Sequence, residues 1–229
     1  MLPLRFLAAL LLSACLQVAH AAGLAEVSNS EASSGLKEAL AKGADFAVSS
    51  LGRENGFLGN PKVKIPLPES LRTAEKAMRA VGMGKYADEL VGTMNHAAEL
   101  AVAQAKPVLM DSIRKMTLKD AKDILLGGED SVTQYFRRTS SEQLARKFMP
   151  IVQESTRKVA LAEKYDRFAG KAASFGLISK EDASLDSYVT RKAMDGLFLM
   201  IAEEERNIRQ NPVAAGSALL KKVFGALGG

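Results

Sequence analysis

The chain has 229 residues, with 31 Lys and Arg against 26 Asp and Glu, two His, one Cys and no Trp. That length suffices for one ordinary domain with its own core, and the mild, interspersed charge is that of a solvated surface. Interleaved acids and the lack of a recognised motif exclude a nucleic-acid footprint, and a single cysteine excludes an intrachain disulfide.

The first 21 residues carry a lone Arg5, an apolar run from Phe6 to Leu12, and small residues ending in Ala19-His20-Ala21. This order predicts a secretion signal cut before Ala22. The run is too short to span a bilayer, which takes about 20 residues. A competing pattern is Leu12-Ser13-Ala14-Cys15, which resembles a lipobox and would anchor the chain in the envelope through an acylated Cys15. The apolar residues that follow Cys15 differ from the usual polar tether and favour simple cleavage into the periplasm. Residues 22–229 then form the mature domain of 208 residues, free of cysteine and with a net charge of +4.

Within that body apolar residues recur at three- and four-residue spacing, and alternating runs are nearly absent, so the fold class is all-α. Helices are expected near 29–51, 69–81, 85–115, 118–126, 130–138, 141–158, 160–175, 184–209 and 212–226. Ser28-x-x-Glu31 and Thr139-x-x-Glu142 read as capping boxes, and Asn211-Pro212 as an N-cap with proline at the first helical position. Gly82, Gly84, Gly127-Gly128 and Gly176 read as stops. Pro107 and Pro150 should kink or break their helices. One long proline-containing crossover loop, residues 56–68, takes an extended path. Gly196–Ala202 is apolar on all sides, which makes the helix from Leu185 to Arg209 the centre of a multi-helix bundle, with Leu199 and Ile201 in the core.

Four strings stand out: GFLGNPKVKIPLP (56–68), DAKDILLGGEDSVTQYFRR (120–138), LDSYVTRKAMDGLFLMIAEEE (185–205) and GSALLKKVFGAL (216–227). Together they resemble one family of bacterial exported proteins, the domain of unknown function family 4197. The resemblance covers nearly the whole mature chain. It implies a helical envelope protein and brings no catalytic residues with it.

No residue pattern implies a catalytic site, a metal or a cofactor. Gly127-Gly128-Glu129-Asp130 superficially matches a cyclic-dinucleotide synthesis signature, but here it ends one helix and places acids at the start of the next. His96 and Glu99 share a helix face, too few for a zinc or iron site. Of Glu203, Glu204 and Glu205 at most one enters a cleft, and pairing with Arg206 or Arg209 at helical spacing is the expected use. There is no G-x-S-x-G elbow. Leu219–Leu227 is a short amphipathic tail that could lie on an anionic membrane; with only two lysines, it is expected instead to dock its apolar side on the bundle. The one located binding expectation is an anion site at Tyr135, Arg137, Arg138, Thr139 and Ser140, where arginines ending one helix would meet the free amides beginning the next. The expected function is a non-enzymatic envelope protein that binds a lipid, glycan or protein partner, with a helical hydrolase of cell-wall glycan or peptide as the alternative. A cleft holding a buried carboxylate with a raised pKa would favour the hydrolase.

Overall fold

The computed structural model describes residues 29–158 and 184–211, with Ala162, Glu163, Tyr165, Asp166 and Ser174 between them. The signal segment with Cys15, the start of the first capping box, most of the expected 160–175 helix, and the 212–226 helix with its tail lie outside these residues. Among the described residues seven helices pack together and no strand occurs. They are α1 (Asn29–Leu51), α2 (Arg72–Ala80), α3 (Gly84–Val102), α4 (Lys106–Lys115), α5 (Leu118–Leu125), α6 (Ser131–Thr156) and α7 (Leu185–Gln210), with a single 3-10 turn at Glu69–Leu71 before α2.

Helix α1 follows the expected bounds because its apolar residues hold one stripe. Leu36, Ala39, Leu40, Ala44, Ala47, Val48 and Leu51 are all buried, at the three- and four-residue steps of one face. The expected long helix at 85–115 divides into α3 and α4, with Pro107 in the first turn of α4, where a missing amide hydrogen costs nothing. Helix α2 ends as Gly82 predicts: Gly82 takes a φ of +76°, the Met83 amide donates to Met78 O at 2.8 Å, and the Gly82 amide donates to Arg79 O. This pair of bonds closes the last turn around a left-handed residue.

The expected break between 138 and 141 does not exist. Helix α6 runs unbroken from Ser131 to Thr156 and continues through Pro150. Thr139-x-x-Glu142 is not a cap: the Thr139 and Ser140 hydroxyls donate back to the Tyr135 and Phe136 carbonyls, and Glu142 pairs with Arg146. The capping box of this region stands at Thr117 and Asp120 instead, opening α5. Helix α6 also hides its period. Val132, Phe136, Ser140, Leu144, Phe148, Val152 and Thr156 are buried at a strict four-residue repeat, which advances about 40° around the helix at each step. The buried stripe therefore winds about the axis, and α6 packs on α7, α3, α4 and α5 in turn.

Helix α7 packs against α6, α1 and α3, and six of the seven residues of Gly196–Ala202 are buried. Leu199 is the exception and corrects the expectation. At 37% exposed it lies on the solvent side, in line with Lys192, Asp195, Glu203 and Arg206 at four- and seven-residue spacing, whereas Ile201 is 2% exposed. The two positions make a paired test by thermal or denaturant unfolding. Ile201→Ala is expected to cost about 2–5 kcal/mol, and Leu199→Ala under about 1 kcal/mol. Equal losses would contradict this orientation of α7.

Candidate functional site

The stretch between α1 and α2 contains no α-helix, so its backbone groups must be paired by its own turns or by other elements. Residues 52–63 pass through successive turns, in which Gly56, Gly59, Asn60, Val63 and Lys64 donate their amides to nearby carbonyls, and 64–68 belong to no helix or turn. Helix α3 pairs three further amides and one carbonyl. The buried Asn95 side chain pairs with Ile65 as a neighbouring strand would, accepting from its amide at 2.8 Å and donating to its carbonyl at 2.9 Å. One turn later the Glu99 carboxylate, also buried, accepts from the Phe57 and Leu58 amides at 3.0 and 3.3 Å. Helix α7 holds the other side. Tyr188 donates its hydroxyl to Pro66 O, Lys62 pairs with Glu203, and Phe57 packs so closely on Gly196 that a Cβ there would fall 2.6 Å from its ring.

Held in this way, the end of the crossover forms one wall of a groove of about 370 Å³, opposite the first turns of α7. Pro66, Leu67 and Pro68 of the crossover, Glu69 and Arg72 beside it, Tyr188, Arg191 and Lys192 of α7 and the buried Tyr165 line it. The Arg191 guanidinium and the Lys192 ammonium lie 5.6 and 5.8 Å from the Tyr188 ring centre, and Arg72 reaches Glu69 at 3.3 Å. Arg191 also approaches Asp195 at 4.0 Å. Among the described lining residues three cations stand against one carboxylate. The volume is within the range of small-molecule sites, about 300–1,000 Å³.

Ala162, Glu163 and Asp166 border a second cleft, of about 640 Å³, whose character is opposite. It is lined by Glu154, Glu163, Asp166 and Asp186, with Arg157 as its one cation among the described lining residues. Asp166 accepts from the Leu185 amide at 2.7 Å, and Asp186 accepts from the Thr156 hydroxyl. Burial pushes the Asp166 carboxyl above the usual range; the Leu185 amide opposes this and the Asp186 charge adds to it.

The third polar centre is structural. Glu205 reaches from α7 to the start of α6 and accepts from the Val132 and Thr133 amides at 3.0 and 3.2 Å and from the Thr133 hydroxyl. It thus supplies the cap that Asp130, at the N-cap position, does not. Arg209 bonds Glu205 at 3.0 Å and extends to Ser131 Oγ and to Ile124 O near the end of α5. One ion pair therefore ties the end of α5, the start of α6 and α7 together. The adjoining cavity, between Ala39, Leu40, Phe136 and Ile201, is only about 20 Å³, room for a single water.

The residues of the expected anion site are engaged otherwise. With α6 continuous there, the free amides that the site required are absent. Tyr135 is buried and donates its hydroxyl to Ser112 O at 2.6 Å, and burial raises its pKa. Arg138 bonds Asp120 at 3.0 Å, and Arg137 stacks over the Phe198 ring at 4.6 Å and approaches Asp195. Thr139 and Ser140 bond their own helix. His96 is exposed and lies 3.5 Å from Glu99, and no group of three metal-ligating side chains occurs among the described residues. Glu205 is the one glutamate of its triplet that turns inward, paired four residues on with Arg209 as helical spacing predicts. Asn95 and Asp166 were missed by the sequence reading. The only signal for Asn95 was a polar residue on the apolar side of α3, between Met94 and Ala98.

Glu205→Ala leaves two buried amides and the Arg209 guanidinium without their acceptor, and is expected to destabilise the protein by about 3–5 kcal/mol. Glu205→Gln, which keeps an acceptor oxygen, should lose less; equal stability of wild type and Ala variant in denaturant titration would contradict the capping role.

No curated protein and no solved structure matches the chain significantly. The family model described as "Protein of unknown function (DUF4197)" matches residues 26–225. Nearly the entire crossover, bundle and groove fall within that match, and the chain belongs to the domain of unknown function 4197 family.

Proposed function

We propose that this is an exported, non-enzymatic protein of the cell envelope that binds a small anionic ligand in the groove between the crossover and α7. The observation that carries the reading is the cavity of about 370 Å³ with Arg72, Arg191 and Lys192 around buried tyrosines. Export rests on the order of charge, apolar run and small residues before Ala22. Cations over an aromatic floor recognise phosphate or carboxylate on an organic body, chemistry that envelope glycans and lipid headgroups both offer. No helix among the described residues is long and apolar enough to cross a membrane.

The experiment is calorimetric titration of the protein with glycerol phosphate, as a headgroup probe, and with a carboxylated amino sugar, as a glycan probe. Binding of either by the native protein, weakened about tenfold or more in an Arg72→Ala, Lys192→Ala variant with unchanged melting, is the expected result. Equal binding by native and variant protein, or none at low salt, would contradict the site.

A second reading is favoured by one observation. The Asp166 carboxyl, raised by burial and placed near Asp186 in the cleft of about 640 Å³, has the environment of a general acid in glycan hydrolysis. Release of reducing ends from purified cell-wall glycan, lost in a folded Asp166→Asn variant, would establish the hydrolase in place of the binding protein.

A further inference from the structure

Among the described residues, the turn joining α2 and α3 is the one place where three large apolar side chains close in sequence face solvent together. Val81 is 70% exposed, Met83 47% and Tyr86 41%. Helix α2 packs chiefly on α3 and is otherwise largely exposed, so the turn stands out as the tip of a helical hairpin. The left-handed Gly82, with open space around it, lets the chain reverse between Val81 and Met83.

Between Glu75 and Asp88 the charge has one sign. Residues 76–87 contain Lys76, Arg79 and Lys85 and no acid. The acids that flank this span, Glu75 and Asp88, are both bound by Arg79, at 3.0 and 2.5 Å. Lys76 and Lys85 have no ion-pair partner among the described residues, and the Lys85 ammonium lies 5.1 Å from the Tyr86 ring centre. The next acid along α3 is Glu89, three residues past Tyr86.

A protein partner is disfavoured by size and shape. A stable protein interface covers about 800 Å² on each side, far more than three side chains at a convex turn present. A second copy of the same tip would set lysine against lysine. An anionic bilayer surface fits both features: apolar side chains enter the headgroup region, lysines meet the lipid phosphates, and a tyrosine sits with its ring buried and its hydroxyl wet.

We propose that the α2–α3 tip is a membrane-docking element, with Val81, Met83 and Tyr86 inserting at the surface of an anionic bilayer and Lys76 and Lys85 holding it there. This is independent of the groove and of what it binds.

Because the chain has no tryptophan, Tyr86→Trp places a sole indole at the tip and reports contact at that residue alone. In the full-length protein its emission should shift to the blue with vesicles containing phosphatidylglycerol, and not with phosphatidylcholine alone. Lys76→Gln with Lys85→Gln should weaken partitioning about thirtyfold, near fivefold for each lysine. Val81→Ser with Met83→Ser should abolish the shift while helical circular dichroism is unchanged. The proposal is overturned by an unshifted emission on anionic vesicles at low salt, by an equal shift with neutral vesicles, by an undiminished shift in the serine variant, or by a dimer that buries the indole without lipid.

Discussion

The structure depends on how a helical bundle accommodates a stretch of backbone that is not an α-helix. Seventeen residues between α1 and α2, from Gly52 to Pro68, carry amide and carbonyl groups that burial would leave without water, and each such group costs free energy unless it is paired. The crossover's own turns pair several of them, and Asn95 and Glu99, one turn apart on α3, pair the amides of Phe57, Leu58 and Ile65 and the Ile65 carbonyl from the bundle side. With Phe57, Val63, Ile65 and Leu67 thereby buried, the crossover becomes a wall. The groove exists because that wall stands opposite the first turns of α7.

The same principle recurs at the far end of α7. Glu205 and Arg209 satisfy the start of α6 and the end of α5 with one pair of side chains. The two arrangements divide the long helix by role: its first turns face the groove, its middle fills the core, and its last turns hold the neighbouring helix ends. Between them lies Gly196, where the absence of a side chain admits Phe57.

What the sequence made legible follows from the range of the interactions. Helices α1 and α7 were read to within a residue or so because their stripes are local and regular, and the Glu205–Arg209 pair was visible as an i, i+4 spacing. Helix α6 was divided wrongly: its four-residue repeat winds around the axis, and Thr139-x-x-Glu142 imitates a cap while serving only its own helix. The anion site placed at Arg137 and Arg138 went with that false helix start. Asn95 was not legible, since its partner Ile65 is 30 residues away. The groove was hidden for the same reason, its lining being drawn from residues 66–72, 165 and 188–192.

The central claim is that Asn95 holds the crossover against the bundle. Native-state amide hydrogen exchange on an Asn95→Leu variant, apolar and of similar size, tests it most directly. The account predicts that the Ile65 amide loses most of its protection, and that crossover amides near it follow. The amides of Leu197, Phe198 and Ile201 in the middle of α7 should stay protected, since their bonds are made within the helix. Undiminished protection at Ile65 would contradict the account.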